Sequence, residues 1–236
     1  MPGTWRRSLE LAFFNHRLIS EVNRVKQVNW LTVDLGLREV EYAHINEELD
    51  RMLIGLNRLF KYKRVKQSTL GYFRMLDIKK DEDVYHPTIH ILLPTIKSYF
   101  QGRYYIKYDE WMALWHKALD MNPENQLSVN VNVLNGKCDQ QEAASKMEQL
   151  LIQLHGEPDG KPDRTQTDRD TGLASRRLIG YSRLLKEETD RLPPEIGYNM
   201  NQYNIHDDIA NCAFKSMLHW YPGVRKEGNN PIHLVS

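Results

Sequence analysis

The chain carries only two cysteines, Cys138 and Cys212, in 236 residues. No Cys-x-x-Cys spacing exists between them. The pair predicts free thiols in a reducing cytoplasm, with one disulfide as the alternative. Charge of one sign is also missing. The formal net charge is +1, so any nucleic-acid surface has to be a local patch. No apolar run approaches the roughly 18 residues of a membrane span. The opening "MPGTWRRSLELAFFNH" breaks its apolar stretch with Glu10 and does not have the build of a signal peptide. These absences predict a cytoplasmic protein with no membrane contact. There are no internal repeats. What is present is an apolar fraction of 41% and a charged fraction of 27%, enough for a real core in one large domain or a domain with appendages.

Periodicity sets the element order. Leu11, Phe14, Leu18, Val22 and Val25 recur at helical spacing over Ser8 to Val25. "VNWLTVDL" alternates as a strand, with Leu31, Val33 and Leu35 on one face and Trp30, Thr32 and Asp34 on the other. "HINEELDRMLIGLNRLFKY" is an amphipathic helix with Ile45, Leu49, Met52, Leu53, Leu56, Leu59 and Phe60 in one stripe. A strand opens at Gly71, and residues 86 to 94 form another. The acidic turn Asp81-Glu82-Asp83 joins them as a hairpin. "YDEWMALWHKAL" reads as a helix, and "LSVNVNVL" as a half-buried strand with Leu127, Val129, Val131 and Val133 inward. The order strand, helix, strand, strand, helix, strand predicts an α+β fold. Its core is an antiparallel ferredoxin-like (split βαβ) sheet with helices on one face and an open face for an active site. Such a sheet serves many functions, so the fold alone assigns none.

The organisation expected is a core domain over 1–155, a flexible polar loop over 156–172 and a C-terminal helical extension over 173–236. In that extension "LASRRLIGYSRLLKEETDRL" and "DDIANCAFKSMLHWY" read as helices.

Six stretches in order carry a resemblance. "WRRSL" is similar to the end of a Cys-Pro-x-Cys-Gln-Trp-Arg-Arg segment, and "WLTVDL" to a Phe-Leu-Thr-Leu-Thr strand. "GYFRMLDIKK" is similar to a Gly-Trp-x-Arg-x-Leu-Glu-Val strand, and "HPTIHILLP" to a His-Pro-His-x-His-x-Leu-Leu strand. "KSYFQGRYYIKYDEWMALWHKAL" reproduces a Ser-Tyr-Phe, Tyr-Ile, Glu-Trp, Leu-Trp-x-Lys-x-Leu series, and "RRLIGYSRLLKE" a segment further on. Over roughly residues 5 to 190 the chain resembles plasmid rolling-circle replication initiators, the Rep proteins of the HUH endonuclease class.

The resemblance implies a metal-assisted nuclease. A divalent ion polarises the scissile phosphate, and a tyrosine attacks to leave a 5′-phosphotyrosine. Two histidines separated by one residue on a strand point to the same face and converge on one ion. Here the first of that pair is replaced by Thr88. His86 faces the same way as His90, but four residues of strand separate their Cα atoms by about 13 Å. Asp77 matches the family's acidic ligand, and pairing across the hairpin brings it toward His90. Asp77 and His90 are therefore the candidate metal ligands, for Mg²⁺ or Mn²⁺ held weakly with waters. The plainer alternative is an exposed Asp hydrogen-bonded to a strand His.

The family's nucleophilic tyrosine corresponds to Met147 in "QQEAASKMEQLLIQL", next to Lys146. A thioether cannot form the phosphoester, so no residue is assigned a catalytic role. Tyr198 and Tyr203 are the candidates for a replacement, whereas Tyr181 reads as core. The family's Cys-x-x-Cys is absent at residues 1 to 4.

Candidate phosphate contacts are Arg6, Arg7, Lys61, Lys63, Arg64 and Lys66, with Arg176 and Arg177 equally ambiguous. The alternative for the cluster at 61 to 66 is a solvated helix end. The aromatics of "SYFQGRYYIKYDEW" read mainly as core, with Trp111 and Trp115 against the sheet and Tyr99 and Phe100 closing an edge. Base stacking is the competing role. His206, Asp207 and Asp208 read as a helix cap.

Three functions compete. The first is a Rep-like protein binding plasmid DNA, as single strand or origin hairpin, with nicking lost or impaired. The second is an active nickase using another tyrosine, and the third a non-enzymatic interaction protein. The oligomeric state is left open.

Overall fold

The structure, a computed structural model, describes residues 2–121, 127–135, 139–156, 177–193 and 200–220. The long first helix α1 (Pro2–Val25) starts earlier than its apolar repeat, and Pro2 suits a first helical position. Strand β1 (Val28–Leu37) follows, then a two-residue strand β2 (Val40–Glu41), helix α2 (Ile45–Leu59) and the short helix α3 (Lys63–Ser68). Strands β3 (Gly71–Asp81) and β4 (Val84–Ile96) form the expected hairpin, with Glu82 in the left-handed region at its turn. Helix α4 (Tyr108–Leu119) and strand β5 (Leu127–Leu134) complete the split βαβ series.

The strand order is β5-β1-β4-β3, followed by a further strand, β6 (Ile179–Arg183), while β2 pairs with β4. Its first four strands are thus in the ferredoxin-like order, and the class is α+β as the periodicity predicts. Leu31, Val33, Leu35 and Leu37 of β1 share one sheet face with Leu76, Ile78, Ile89, Ile91 and Leu93. Leu49, Met52 and Leu56 of α2 and Trp111 and Trp115 of α4 cover that face. Helices α2 and α4 approach closely at Gly55, where a Cβ would lie 2.9 Å from Leu119 Cδ2.

Two sequence expectations need correction. The segment expected as a helix from Leu173 holds a strand: Gly71 to Met75 of β3 pairs antiparallel with Ile179 to Arg183. The outer edge of β3 offers unpaired backbone groups, and pairing there outweighs local helix propensity. Helix α6 (Leu184–Arg191) starts only after Arg183, which takes positive φ. In β5 the alternation slips at its end. Val133 is 45% exposed and Leu134 is buried in its place. The polar loop expected over 156–172 lies outside the described residues, apart from the end of α5 (Gln140–Gly156).

Compactness divides the described elements into two units that interleave along the chain. One holds the sheet with α2, α3, α4 and β6. The other holds α1, α5 and α7 (Asp208–Trp220). In this helical unit Phe13 of α1 packs on Phe214 of α7, ring centroids 4.9 Å apart, and on Tyr203 at 5.1 Å. Buried His16 meets Asn211, with 3.0 Å between His16 Nε2 and Asn211 Oδ1. Lys215 of α7 reaches Glu142 of α5.

Candidate functional site

On the sheet face turned away from α2 and α4, one polar residue from each of four strands lines up across the strands. Asp34 of β1 lies directly opposite His90 of β4, and Thr88 of β4 lies opposite both Gly36 of β1 and Asp77 of β3. Directly opposed residues bring their Cβ atoms to about 5 Å, so these side chains share one patch. His90 Nδ1–H donates to Asp34 Oδ1 at 2.8 Å, and His90 Nε2 stands 3.8 Å from Asp77 Oδ2. Asn130 of β5 donates its Nδ2–H to the other Asp34 oxygen at 3.3 Å. The row therefore runs Asn130, Asp34, His90, Asp77.

Asp77 and His90 do come together, but Asp77 is not the exposed carboxylate the sequence alternative supposed. Asp77 is 7% and His90 6% exposed. Burial is the largest single influence on His90 and acts to lower its pKa. The hydrogen bonds and charges of Asp34 and Asp77 together outweigh burial, so the net shift is upward. The imidazole thus favours its cationic form, between two carboxylates.

The donor set allows a test of metal fit. Two ligands each about 2.1 Å from one ion are roughly 3 to 4 Å apart, and Nε2 and Asp77 Oδ2 meet that span. A carboxylate on the far ring nitrogen is also how metal-bound imidazoles are oriented, a role Asp34 fills. A third donor is lacking: among the described residues no group of three or more His, Cys, Asp or Glu side chains converges on a point fit for an ion. Thr88 supplies only a neutral hydroxyl. The residues present fit a weakly held ion with most positions taken by water, in competition with the His90 proton. His86 is engaged elsewhere, its Nδ1 accepting from the Glu39 backbone N–H at 3.3 Å.

The tyrosine candidates fare differently. Met147 is fully buried in α5. Tyr203 is 4% exposed, and burial pushes its hydroxyl up to about 12, so it offers neither access nor a phenolate near neutral pH. Tyr181 packs on Phe73 at 5.0 Å between ring centroids. Tyr198 lies outside the described residues.

Among the basic candidates, Lys61, Lys63 and Lys66 are exposed. Arg64 is built into the structure, donating to the Tyr105 carbonyl at 2.8 Å and to Glu110 at 3.3 Å. Arg6 pairs with Glu10 one helical turn on, at 3.1 Å. Arg177 Nε–H donates to the Ile179 carbonyl, while Arg176 and the Arg7 side chain lie outside the described residues. Trp111 and Trp115 are fully buried. Tyr99 is buried beside them in the core cluster, whereas Phe100 is 45% exposed. Asp207 Oδ1 accepts from the Ala210 N–H at 2.9 Å, a helix cap as its position predicts.

The residues that sequence reasoning missed are Asp34 and Asn130. Asp34 was legible as a polar-face residue of β1, but its pairing with His90 depends on the β1–β4 register.

Comparison with known proteins gives this geometry its context. The profile of a family described as replication protein (Rep_1) matches residues 3–227. A protein called rep from Bacillus amyloliquefaciens is 34% identical over 94% of this chain and 72% of its own length. Another from a Bacillus species is 36% identical over 78% of this chain and 66% of its own length. A third, from Streptococcus pneumoniae, is 23% identical over 80% of this chain and 60% of its own. The chain therefore spans about two thirds of the length of these relatives.

Proposed function

The chain belongs to the replication protein (Rep_1) family, and from that premise we propose that it binds plasmid DNA at a rolling-circle origin, as single strand or hairpin, with strand nicking lost or impaired. The observation that carries the second half is the environment of His90. A nicking site needs an ion held firmly enough to polarise a phosphate. Among the described residues, one imidazole and one carboxylate are the ligands in reach, and Thr88 stands at the position where a second imidazole is expected. A divalent ion, when bound, would act as Lewis acid toward a phosphate oxygen. The chain's own part is limited to His90 Nε2 and Asp77 Oδ2 as ligands, with Asp34 fixing the ring. Met147 adds a second deficit, since a buried thioether supplies no attacking oxygen.

The phosphate contacts in this reading are Lys61, Lys63 and Lys66, exposed on and before α3. Each contributes salt-dependent affinity. No helix among the described residues is long and apolar enough to cross a membrane, and a cytoplasmic site of action accords with a plasmid partner.

The test runs the full chain with labelled single-stranded origin DNA and Mn²⁺, on native and on denaturing gels. A salt-sensitive shift on the native gel with no covalent band on the denaturing gel is the expected result. A covalent band abolished by Tyr198→Phe would replace this reading with an active nickase. No shift at low salt would favour a non-enzymatic interaction protein.

A further inference from the structure

The segment between β4 and α4 is basic and carries exposed rings. From Lys97 to Tyr108 it holds Lys97, Arg103 and Lys107 and no acidic residue, in a chain whose net charge is only +1. It also displays rings. Phe100 is 45% exposed and Tyr105 42% exposed, with their centroids 5.8 Å apart.

These rings are held rather than loose. Buried Tyr99 lies beneath both, 5.1 Å from Phe100 and 5.8 Å from Tyr105, edge-on to each. Its hydroxyl donates to the Ile106 carbonyl at 3.3 Å. Helix α3 secures the other side. Arg64 donates to the Tyr105 carbonyl at 2.8 Å, and Ser68 Oγ–H donates to the Tyr104 carbonyl at 2.9 Å. Glu110, in the first turn of α4, is committed to Arg64 and to the Lys107 N–H. Arg103 is held on the neighbouring Tyr104, 3.0 Å from its hydroxyl and 5.1 Å from its ring centroid. Exposed rings on a fixed backbone, with cations on the same segment, match the build of a single-strand binder: bases stack on π-faces and phosphates meet Lys or Arg. Duplex DNA presents only base edges and cannot use the rings, and an acidic peptide would use the cations without them.

We propose that Phe100 and Tyr105, on a segment that also carries Lys97 and Arg103, form a stacking platform for unpaired bases of single-stranded DNA. The platform rests on the DNA-binding reading above and names the surface that carries it. It is tied to α3 through Arg64 and Ser68 and does not involve His90. Because the ordering cost is already met in the free protein, stacking converts efficiently into affinity.

The test is fluorescence anisotropy of the full chain with a labelled oligo-dT strand and with a labelled duplex, at low salt. Phe100→Leu combined with Tyr105→Leu keeps apolar bulk but removes the π-faces. It should weaken single-strand binding about tenfold or more while changing duplex affinity less than about twofold. The Phe100→Tyr/Tyr105→Phe exchange, which keeps both rings, should retain wild-type affinity and shows that the fold tolerates change there. Lys97→Gln with Arg103→Gln should flatten the dependence of log Kd on log salt by about 0.7 for each phosphate interaction removed. Unchanged single-strand affinity in the Leu variant, with DNA binding by the wild type intact, overturns the platform and leaves the wider reading standing. Equal loss for duplex and single strand also overturns it. Absence of any DNA binding by the wild type at low salt overturns both.

Discussion

Asp34 and His90 face each other across β1 and β4, with 2.8 Å between Asp34 Oδ1 and His90 Nδ1. That hydrogen bond fixes the ring, directs its second nitrogen at Asp77 and favours the imidazolium. The sign of the pH effect follows. A histidine whose folded pKa is raised adds stability that is fully present below its unfolded value near 6.5 and is lost as pH rises through the folded pKa.

Asp34→Asn removes the charge and keeps the shape. The His90 pKa, read from its imidazole resonances by NMR titration, is expected to fall. The thermal midpoint should also lose part of its decline with rising pH. An unchanged His90 titration would mean that Asp34 does not govern the ring.

Thr88→His restores an imidazole two residues from His90, on the same strand face. Mn²⁺ affinity measured by calorimetry is expected to rise, and to rise further with pH as His90 loses its competing proton. No gain would mean that positions 77, 88 and 90 do not converge on one point.

Gly36 sits where another residue would collide. A Cβ there would lie 2.9 Å from the Pro87 carbonyl oxygen and 3.0 Å from Thr88 Oγ1. The backbone oxygen cannot swing aside, so Gly36→Ala should cost about 1–3 kcal/mol in denaturant unfolding. An unchanged midpoint would show that β1 and β4 part more easily than their pairing implies.

His16 shows the opposite pH behaviour. Burial lowers its pKa, against the smaller raising effects of Asn211 and Asp207. A depressed histidine adds stability above about pH 6.5, and that contribution is lost as pH falls and the unfolded chain takes up the proton. His16→Gln, which has no such titration, should flatten the acid-side fall of the thermal midpoint. A fall as steep as in the wild type would place the acid sensitivity elsewhere.

The fold was largely legible because its signals are local. The stripe from Ile45 to Phe60, the alternation from Leu31 to Leu35 and the Glu82 turn each specify an element without help from the rest. Strand β6 was not legible, because Ile179 to Arg183 become extended only through pairing with Gly71 to Met75, a segment more than a hundred residues away. The candidate site was half legible. Asp77 and His90 follow from one hairpin, so their meeting could be read from adjacent strands. Asp34 and Asn130 join them through two further strand neighbours, and no spacing in the chain reveals that register. The sequence pairs Phe100 with Tyr99 as edge residues. The two rings diverge, one buried and one 45% exposed, because the chain turns between them.

The most direct measurement is a covalent-adduct assay: wild-type protein, single-stranded origin DNA and saturating Mn²⁺, followed by denaturing electrophoresis and mass spectrometry of any conjugate. With one imidazole, one carboxylate and a buried Met147, the DNA should be recovered intact and the protein at its unmodified mass. A tyrosyl–DNA species at stoichiometric yield would contradict the account.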